Sequence, residues 1–332
     1  MSFTTARAWI TAHAPPLGPE TIDAAIAGGR VLAEDVTAPC DIPPADHAAW
    51  DGIALWAQET EGASEYVPAV TPGHAVMAGM TLPPGTDAVV AQSVAAGAIL
   101  APVASGSGVL WRGHDVTAGS MPLQTGARLD PAALGLLALI GRDRVVVVRQ
   151  PRVAMIAPGW MGPMLGALVA REGGRAESLP EGDGAHWARA GRFDAVLLIG
   201  SIDTLRDAGG RLEWDGVAIE PGDAAGLGQA GDAPLIRLPV LPVACWAAFD
   251  LLAAPLIRGL AGRADPAPQT ATLARKISSP IGVTGLVRVT LRQGRATPLG
   301  PGLAAMMGAD GYVLVPETSE GYEPGVTLSV YP

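Results

Sequence analysis

Apolar and polar positions change rhythm several times along the chain. Apolar residues at helical spacing mark residues 4–13 and again 20–27, where Gly28-Gly29 ends the second run, so the opening predicts two short helices. Residues 30–38 then read as extended chain running into a turn at 40–44. Between 45 and 126 the apolar runs are short, as at 87–94 and 98–103, and turns with Gly and Pro separate them. That pattern predicts a compact β module. Residues 131–140 predict a short helix, and the run Arg144-Val145-Val146-Val147-Val148 a connecting strand.

From 152 to about 262 strand-like and helix-like segments alternate. Strands are expected at 152–157, 175–179 and 194–199, with helices at 161–172 and 184–190. Strands at 217–220 and 235–238 follow, and a helix over 243–260. Alternation at this spacing argues for a parallel, doubly wound sheet. Ligands of such sheets sit at the carboxyl ends of the strands, which singles out the loops after Ala157 and Ile199. From 264 onward β runs return and end at 326–331, as a small C-terminal β domain would.

Composition narrows this picture. A chain of 332 residues with 49% hydrophobic and 16% charged positions has the makings of several packed cores, not of a disordered chain. The formal net charge of -10 makes nucleic acid and anionic membranes poor partners. The most apolar stretch, 238–257, is broken by Pro239, Pro242, Asp250 and Pro255, and reads as a strand end plus a buried helix. The N-terminus has no basic start leading into an apolar run, so a cytoplasmic protein is expected. Cys40 and Cys245 lie far apart and outside any C-x-x-C pattern, as two reduced thiols would. Lys276 is the only lysine. His47 beside Asp46 and His114 beside Asp115 lack metal-ligand spacing and read as turn residues. No Walker A loop, G-x-S-x-G elbow or H-E-x-x-H helix is present.

Taken alone, Trp50-Asp51-Gly52-Ile53-Ala54 is a loop carboxylate beside a glycine, which an Asx-type turn explains. Its neighbourhood adds more. The run Gly29-Arg30-Val31-Leu32-Ala33-Glu34-Asp35-Val36-Thr37-Ala38-Pro39, then Asp41-Ile42-Pro43-Pro44, then Trp50 to Ala54, resembles the opening of the molybdopterin molybdenumtransferases, the family that includes the gephyrin E-domain. That family has Met-Asp-Gly-Tyr-Ala at the last of these. The likeness continues in order through Leu82-Pro83-Pro84-Gly85-Thr86-Asp87-Ala88-Val89-Val90, Arg112-Gly113-His114-Asp115, Pro151-Arg152-Val153-Ala154 and Leu238-Pro239-Val240-Leu241-Pro242-Val243. The resemblance implies a multidomain α/β plus β protein. Its parts would be an N-terminal helical and linker domain at 1–44 and 127–150, an inserted β module at 45–126, a doubly wound molybdopterin-binding domain at 151–262 and a C-terminal β barrel at 263–332. It also implies a homodimer that takes adenylylated molybdopterin, molybdate and Mg²⁺ and inserts molybdenum, with a molybdoenzyme or a molybdopterin adenylyltransferase as the expected partner.

By that resemblance Asp51 and Asp115 are the catalytic candidates, reaching a partner subunit's site. Gly200, Ser201, Asp203, Pro221, Gly222, Pro239 and Pro242 are the cofactor-binding candidates, and Asp203 with Asp207 the metal candidates. The chain also departs from the family. Glu220-Pro221-Gly222-Asp223-Ala224 stands where relatives carry Lys-Pro-Gly-Lys-Pro, exchanging two positive charges for two negative ones. Ile199-Gly200-Ser201-Ile202-Asp203 stands for Ser-Gly-Gly-Val-Ser, Ala157-Pro158-Gly159-Trp160-Met161 for Thr-Gly-Asp-Glu-Leu, and Ala78 for a threonine. Two functions follow as expectations. One is an insertase using arginines such as Arg112, Arg206 or Arg237 in place of the lost lysines. The other is an inactive paralogue that carries molybdenum cofactor or serves as a scaffold for a molybdoenzyme.

Overall fold

The computed structural model describes residues 1–91, 99–179, 192–200 and 210–332. The expected helix at 184–190 lies outside them. The chain divides into two compact units, one of residues 21–28 and 32–145, the other of 1–20, 29–31 and 146–332. This division is coarser than the four segments expected from sequence.

In the first unit, strand Gly52–Leu55 lies between His74–Val76 and Ala88–Ala91, antiparallel to both. A second pair joins His47–Ala48 to Val109–Leu110. Leu55, Ala88 and Val90 are buried with Ile99 beneath the three strands. Gly52 is required by this packing, because a Cβ there would lie 2.0 Å from the Val90 carbonyl oxygen. Pro131–Leu139 is helical as expected, with the Asp130 carboxylate accepting from the Ala133 amide at its start. The expected helix at 20–27 does not form. Pro19–Asp23 is a strand and only Ala24–Ile26 closes a 3-10 turn. Thr21 and Ile22 are β-branched, and Asp23 stays extended to accept a hydrogen bond from the Ala25 amide at 2.9 Å, which favours a turn over a longer helix. The run at 98–103 is also no strand among the described residues, where only Ile99 bridges to Ala69.

The second unit opens with helix α1 (Phe3–Ala12), capped by the Ser2 hydroxyl, which buries Ala6, Trp9 and Ile10 on one face. Its central sheet has strands β1 (Arg152–Ile156), β2 (Arg175–Ser178), β3 (Ala195–Leu198), β4 (Gly210–Asp215), β5 (Gly226–Ala230) and β6 (Ala233–Arg237), in the order β4-β5-β6-β3-β1-β2. The pairs β2-β1, β1-β3 and β3-β6 are parallel; β6-β5 and β5-β4 are antiparallel. The sheet is therefore mixed, not parallel throughout. The reason lies in a short turn through Gly231, at φ 61°, which folds β6 back on β5. Gly228 lets β4 approach, since a Cβ there would sit 2.0 Å from the Arg211 carbonyl oxygen. Helix α2 (Gly162–Arg171) connects β1 to β2 and buries Leu165, Leu168 and Val169.

Helix α3 runs from Pro242 to Leu260. It is long and apolar enough to cross a membrane, yet 72% of its most apolar window is buried inside the protein. Pro255 has no N–H to donate within the helix, and a π-helical segment, Phe249–Ala253, directly precedes it. Phe249, Leu252, Leu256 and Ile257 are fully buried, each contributing about 1.5–3 kcal/mol by leaving water.

The C-terminal strands Gln269–Leu273, Thr284–Arg292, Arg295–Pro298, Gly311–Val315 and Thr327–Val330 form one sheet. It takes a further strand from far upstream: Ile219–Glu220 pairs in parallel with Thr284 and Gly285. The strand expected at 217–220 thus belongs to the C-terminal sheet and not to the α/β layer.

Candidate functional site

The parallel strands β1, β3 and β6 finish side by side. The Ile199 amide donates to the Ile156 carbonyl at 2.7 Å, and the Leu238 amide to the Leu198 carbonyl at 2.8 Å, so the three chain ends leave the sheet together. A cavity of about 390 Å³ opens there, lined by Pro158, Ile199, Gly200, Arg237, Pro239 and Val240 among others. A second of similar volume adjoins it through Pro158, walled by Ala157, Gly159, Gly162 and Ser178. Both loops singled out by strand topology, after Ala157 and after Ile199, contribute to this edge.

Among the described residues Arg237 is the charged one in the first cavity. Its guanidinium donates to the Ala224 carbonyl at 2.9 Å and pairs with the Asp215 carboxylate, leaving its side chain only 14% exposed. Among the described residues nothing crowds Gly200: a Cβ there would meet Leu198 Cδ1 at an ordinary 3.6 Å.

The other cofactor-binding candidates scatter. Gly222 packs against α3, where φ is 127° and a Cβ would press on Ile219 Cδ1 at 3.0 Å, so its role is the turn. Its carbonyl accepts from the Ala225 amide at 2.9 Å, and that of Asp223 from the Val217 amide at 3.1 Å. Pro221 faces a different cavity with Glu220, Leu241 and Arg288. Pro242 stands in the first turn of α3, where a missing N–H costs nothing. Of the described candidates, only Gly200 and Pro239 line the strand-end cavity together. Ser201, Asp203 and Asp207 lie outside the described residues, as does Arg206. Among the described residues no three His, Cys, Asp or Glu side chains gather as a metal ligand set.

In the other unit Asp51 has a structural task. Its Oδ1 accepts from the Ala78 amide at 2.8 Å and so fixes the turn at 77–80, next to a glycine that the strand pairing requires. Asp115 is exposed; its backbone amide donates to the Ile42 carbonyl at 2.9 Å. Arg112 is engaged by acidic neighbours: its guanidinium pairs with Asp41 and its amide donates to Asp46 at 2.8 Å. The Ala118 amide, and then Arg112, hold the Asp41 carboxyl below its ordinary range.

Sequence reading missed a buried ionic network. Asp250, inside the π segment of α3, pairs with both Arg171 and Arg288, while Glu172 accepts from Arg171 at 2.6 Å and from Arg258 at 2.7 Å. The signal was a single aspartate in an otherwise apolar helix, read from sequence only as a break in a membrane-like run.

Comparison with known proteins agrees with this architecture. Residues 1–141 match the model of the MoeA N-terminal region, domains I and II, and residues 270–332 that of the MoeA C-terminal region, domain IV. A molybdopterin molybdenumtransferase 2 of Mycobacterium tuberculosis is 28% identical over 384 aligned residues, covering 94% of this chain and 95% of its own. The molybdopterin molybdenumtransferase of Staphylococcus aureus MRSA252 is 25% identical, covering 91% and 88%. The crystal structure of a molybdopterin biosynthesis moeA protein from Pyrococcus horikoshii superposes with a TM-score of 0.81 at 25% identity, over 99% of both chains. The chain thus belongs to the MoeA family of molybdopterin molybdenumtransferases, and at the level of that family its function is molybdenum-cofactor biosynthesis.

Proposed function

We propose that this chain serves molybdenum-cofactor biosynthesis as a cytoplasmic, homodimeric molybdopterin-binding carrier or scaffold for a molybdoenzyme, and that it does not itself insert molybdate. The observation that carries this reading is electrostatic. Insertion holds two anions together, molybdate and the phosphoanhydride of adenylylated molybdopterin, and needs cations aimed at both. Among the described residues Arg237 is the charged side chain at the strand-end cavity, and it is committed to Asp215 and the Ala224 carbonyl. The turn that carries lysines in the family presents Glu220 and Asp223, both exposed. An exposed carboxylate about 4 Å from an oxyanion opposes it by about 1 kcal/mol per pair of unit charges, and by more where water is excluded.

What is retained suits binding without that chemistry. Among the described residues, the walls of the cavity beside Gly200 and Pro239 are largely uncharged, and its volume is in the range of small-molecule sites. Gly200 is exposed, which leaves its backbone accessible to a flat heterocycle or its phosphate. The test is the purified protein given adenylylated molybdopterin, Mg²⁺ and molybdate, with AMP release and bound pterin fluorescence both followed. Retained pterin without AMP is the expected result. AMP release at a rate comparable with an active relative overturns the carrier reading in favour of the insertase. Light scattering checks the dimer.

A further inference from the structure

A third cavity in the same unit, about 350 Å³, lies between the first turns of α3, the Glu220-Pro221 turn and the C-terminal sheet. Most of its wall is hydrocarbon, from Leu241, Val243, Ala247, Leu286 and Met306. Two charged side chains line it, and they differ in what they have left to offer. Arg288 is spent. Its guanidinium pairs with Asp250, which is 3% exposed, and lies over the Trp246 ring at 5.2 Å and the Tyr312 ring at 5.4 Å. The positive charge thus faces a buried carboxylate, which it shares with Arg171, and is held between two aromatic faces. Glu220 is unspent. It is exposed, and among the described residues it has neither a hydrogen-bond nor an ion-pair partner. Of the two charged side chains on this apolar lining, Glu220 is thus the one without a counter-charge among the described residues.

We propose that this cavity binds a small amphipathic cation, an alkyl or aryl ammonium whose hydrocarbon lies along Leu241, Val243, Leu286 and Met306 and whose charged head meets Glu220. The same arrangement rejects a carboxylate or an inorganic oxyanion of equal size. Hydrocarbon burial supplies the affinity. The exposed carboxylate supplies a modest preference, on the scale of a solvated ion pair. This inference shares Glu220 with the electrostatic argument of the proposed function but does not rest on pterin binding at the strand-end cavity.

Binding of hexylammonium, hexanol, hexanoate and molybdate to the full chain is measured by calorimetry and ligand-observed NMR at low salt. Hexylammonium is expected to bind about threefold tighter than hexanol, with hexanoate and molybdate weaker than either. Glu220→Gln, on an exposed side chain, is expected to bring hexylammonium and hexanol to parity. Ala244→Phe is expected to fill the cavity and abolish binding of both, and its circular dichroism reports whether it folds. No hexylammonium binding to the natural chain, hexanoate or molybdate binding at least as tightly as hexylammonium, or an unchanged preference in Glu220→Gln would each overturn the proposal. Pterin retention measured on the same samples fails or survives separately.

Discussion

Gly52 and Gly200 show two different uses of glycine. A side chain at Gly52 collides with the Val90 carbonyl, so Gly52→Ala is expected to destabilise the protein by about 3 kcal/mol or more, read from its urea midpoint. At Gly200 the described residues leave room, and Gly200→Ala is expected to change stability by less than about 0.5 kcal/mol. If a ligand comes close to this backbone, the same substitution lowers pterin retention, which separates a ligand-driven glycine from a fold-driven one. The carboxyl of Asp41 is depressed in the folded state by the Ala118 amide and Arg112, so its contribution is present above the ordinary aspartate pKa. That contribution is lost as pH falls through the depressed folded value. Asp41→Asn is therefore expected to flatten the acid limb of the stability profile below about pH 4 and to leave its slope above pH 6 unchanged. The thiols divide in the same local terms. Burial pushes Cys245 up to about 12, while Cys40 is exposed. A thiol reagent at pH 8 is expected to count one reactive cysteine in the native protein and two after denaturation.

Among the elements, α3 is the most instructive. Its position and length follow from an apolar run started by Pro242, and its passage through Pro255 is made possible by the π segment. Asp250 within that segment meets two arginines from distant parts of the chain. Asp250→Asn keeps the shape and leaves Arg171 and Arg288 without their counter-charge, at an expected cost of about 3–5 kcal/mol in chemical denaturation. A midpoint within experimental error of the natural chain would show that these charges are already solvated. Elements with a strong local signature were legible in the sequence: α2, β1, β3 and the helix Pro131–Leu139 fall within a residue or two of expectation. The β4-β5 hairpin was not, because Gly226 and Gly228 break the alternation by which a strand is recognised. Residues 20–27 satisfy helical spacing and strand propensity at once, and Asp23 decides between them by capping a turn. The site was legible in part. Strand topology pointed to the loops after Ala157 and Ile199, and these do flank the strand-end cavities. That Gly222 and Pro242 serve the fold, and that Arg237 is already paired, depends on contacts between residues far apart in sequence.

At the scale of the whole molecule, charge separates this chain from what its fold suggests. A formal net charge of -10 adds a diffuse repulsion for anions to the local effect of Glu220 and Asp223. Replacing both by lysine, Glu220→Lys with Asp223→Lys, reverses the local sign and lessens the global one. The double variant is expected to bind molybdate at least about tenfold tighter than the natural chain at low salt, with the gain shrinking as ionic strength rises. Calorimetry across a salt series reads both effects. Unchanged molybdate affinity would mean that shape, not charge, closes the site to oxyanions.

The donated strand Ile219–Glu220 makes one covalent excursion serve two layers. Because it hydrogen-bonds to Thr284 and Gly285, the stretch between β4 and β5 is anchored by residues some sixty positions downstream. A fragment ending after α3 would keep every strand of the central sheet yet leave this excursion with an open edge. Excising the C-terminal sheet as a dispensable appendage is accordingly expected to loosen the β4-β5 connection, whose Asp215 and Ala224 hold Arg237, and with it the wall of the strand-end cavity.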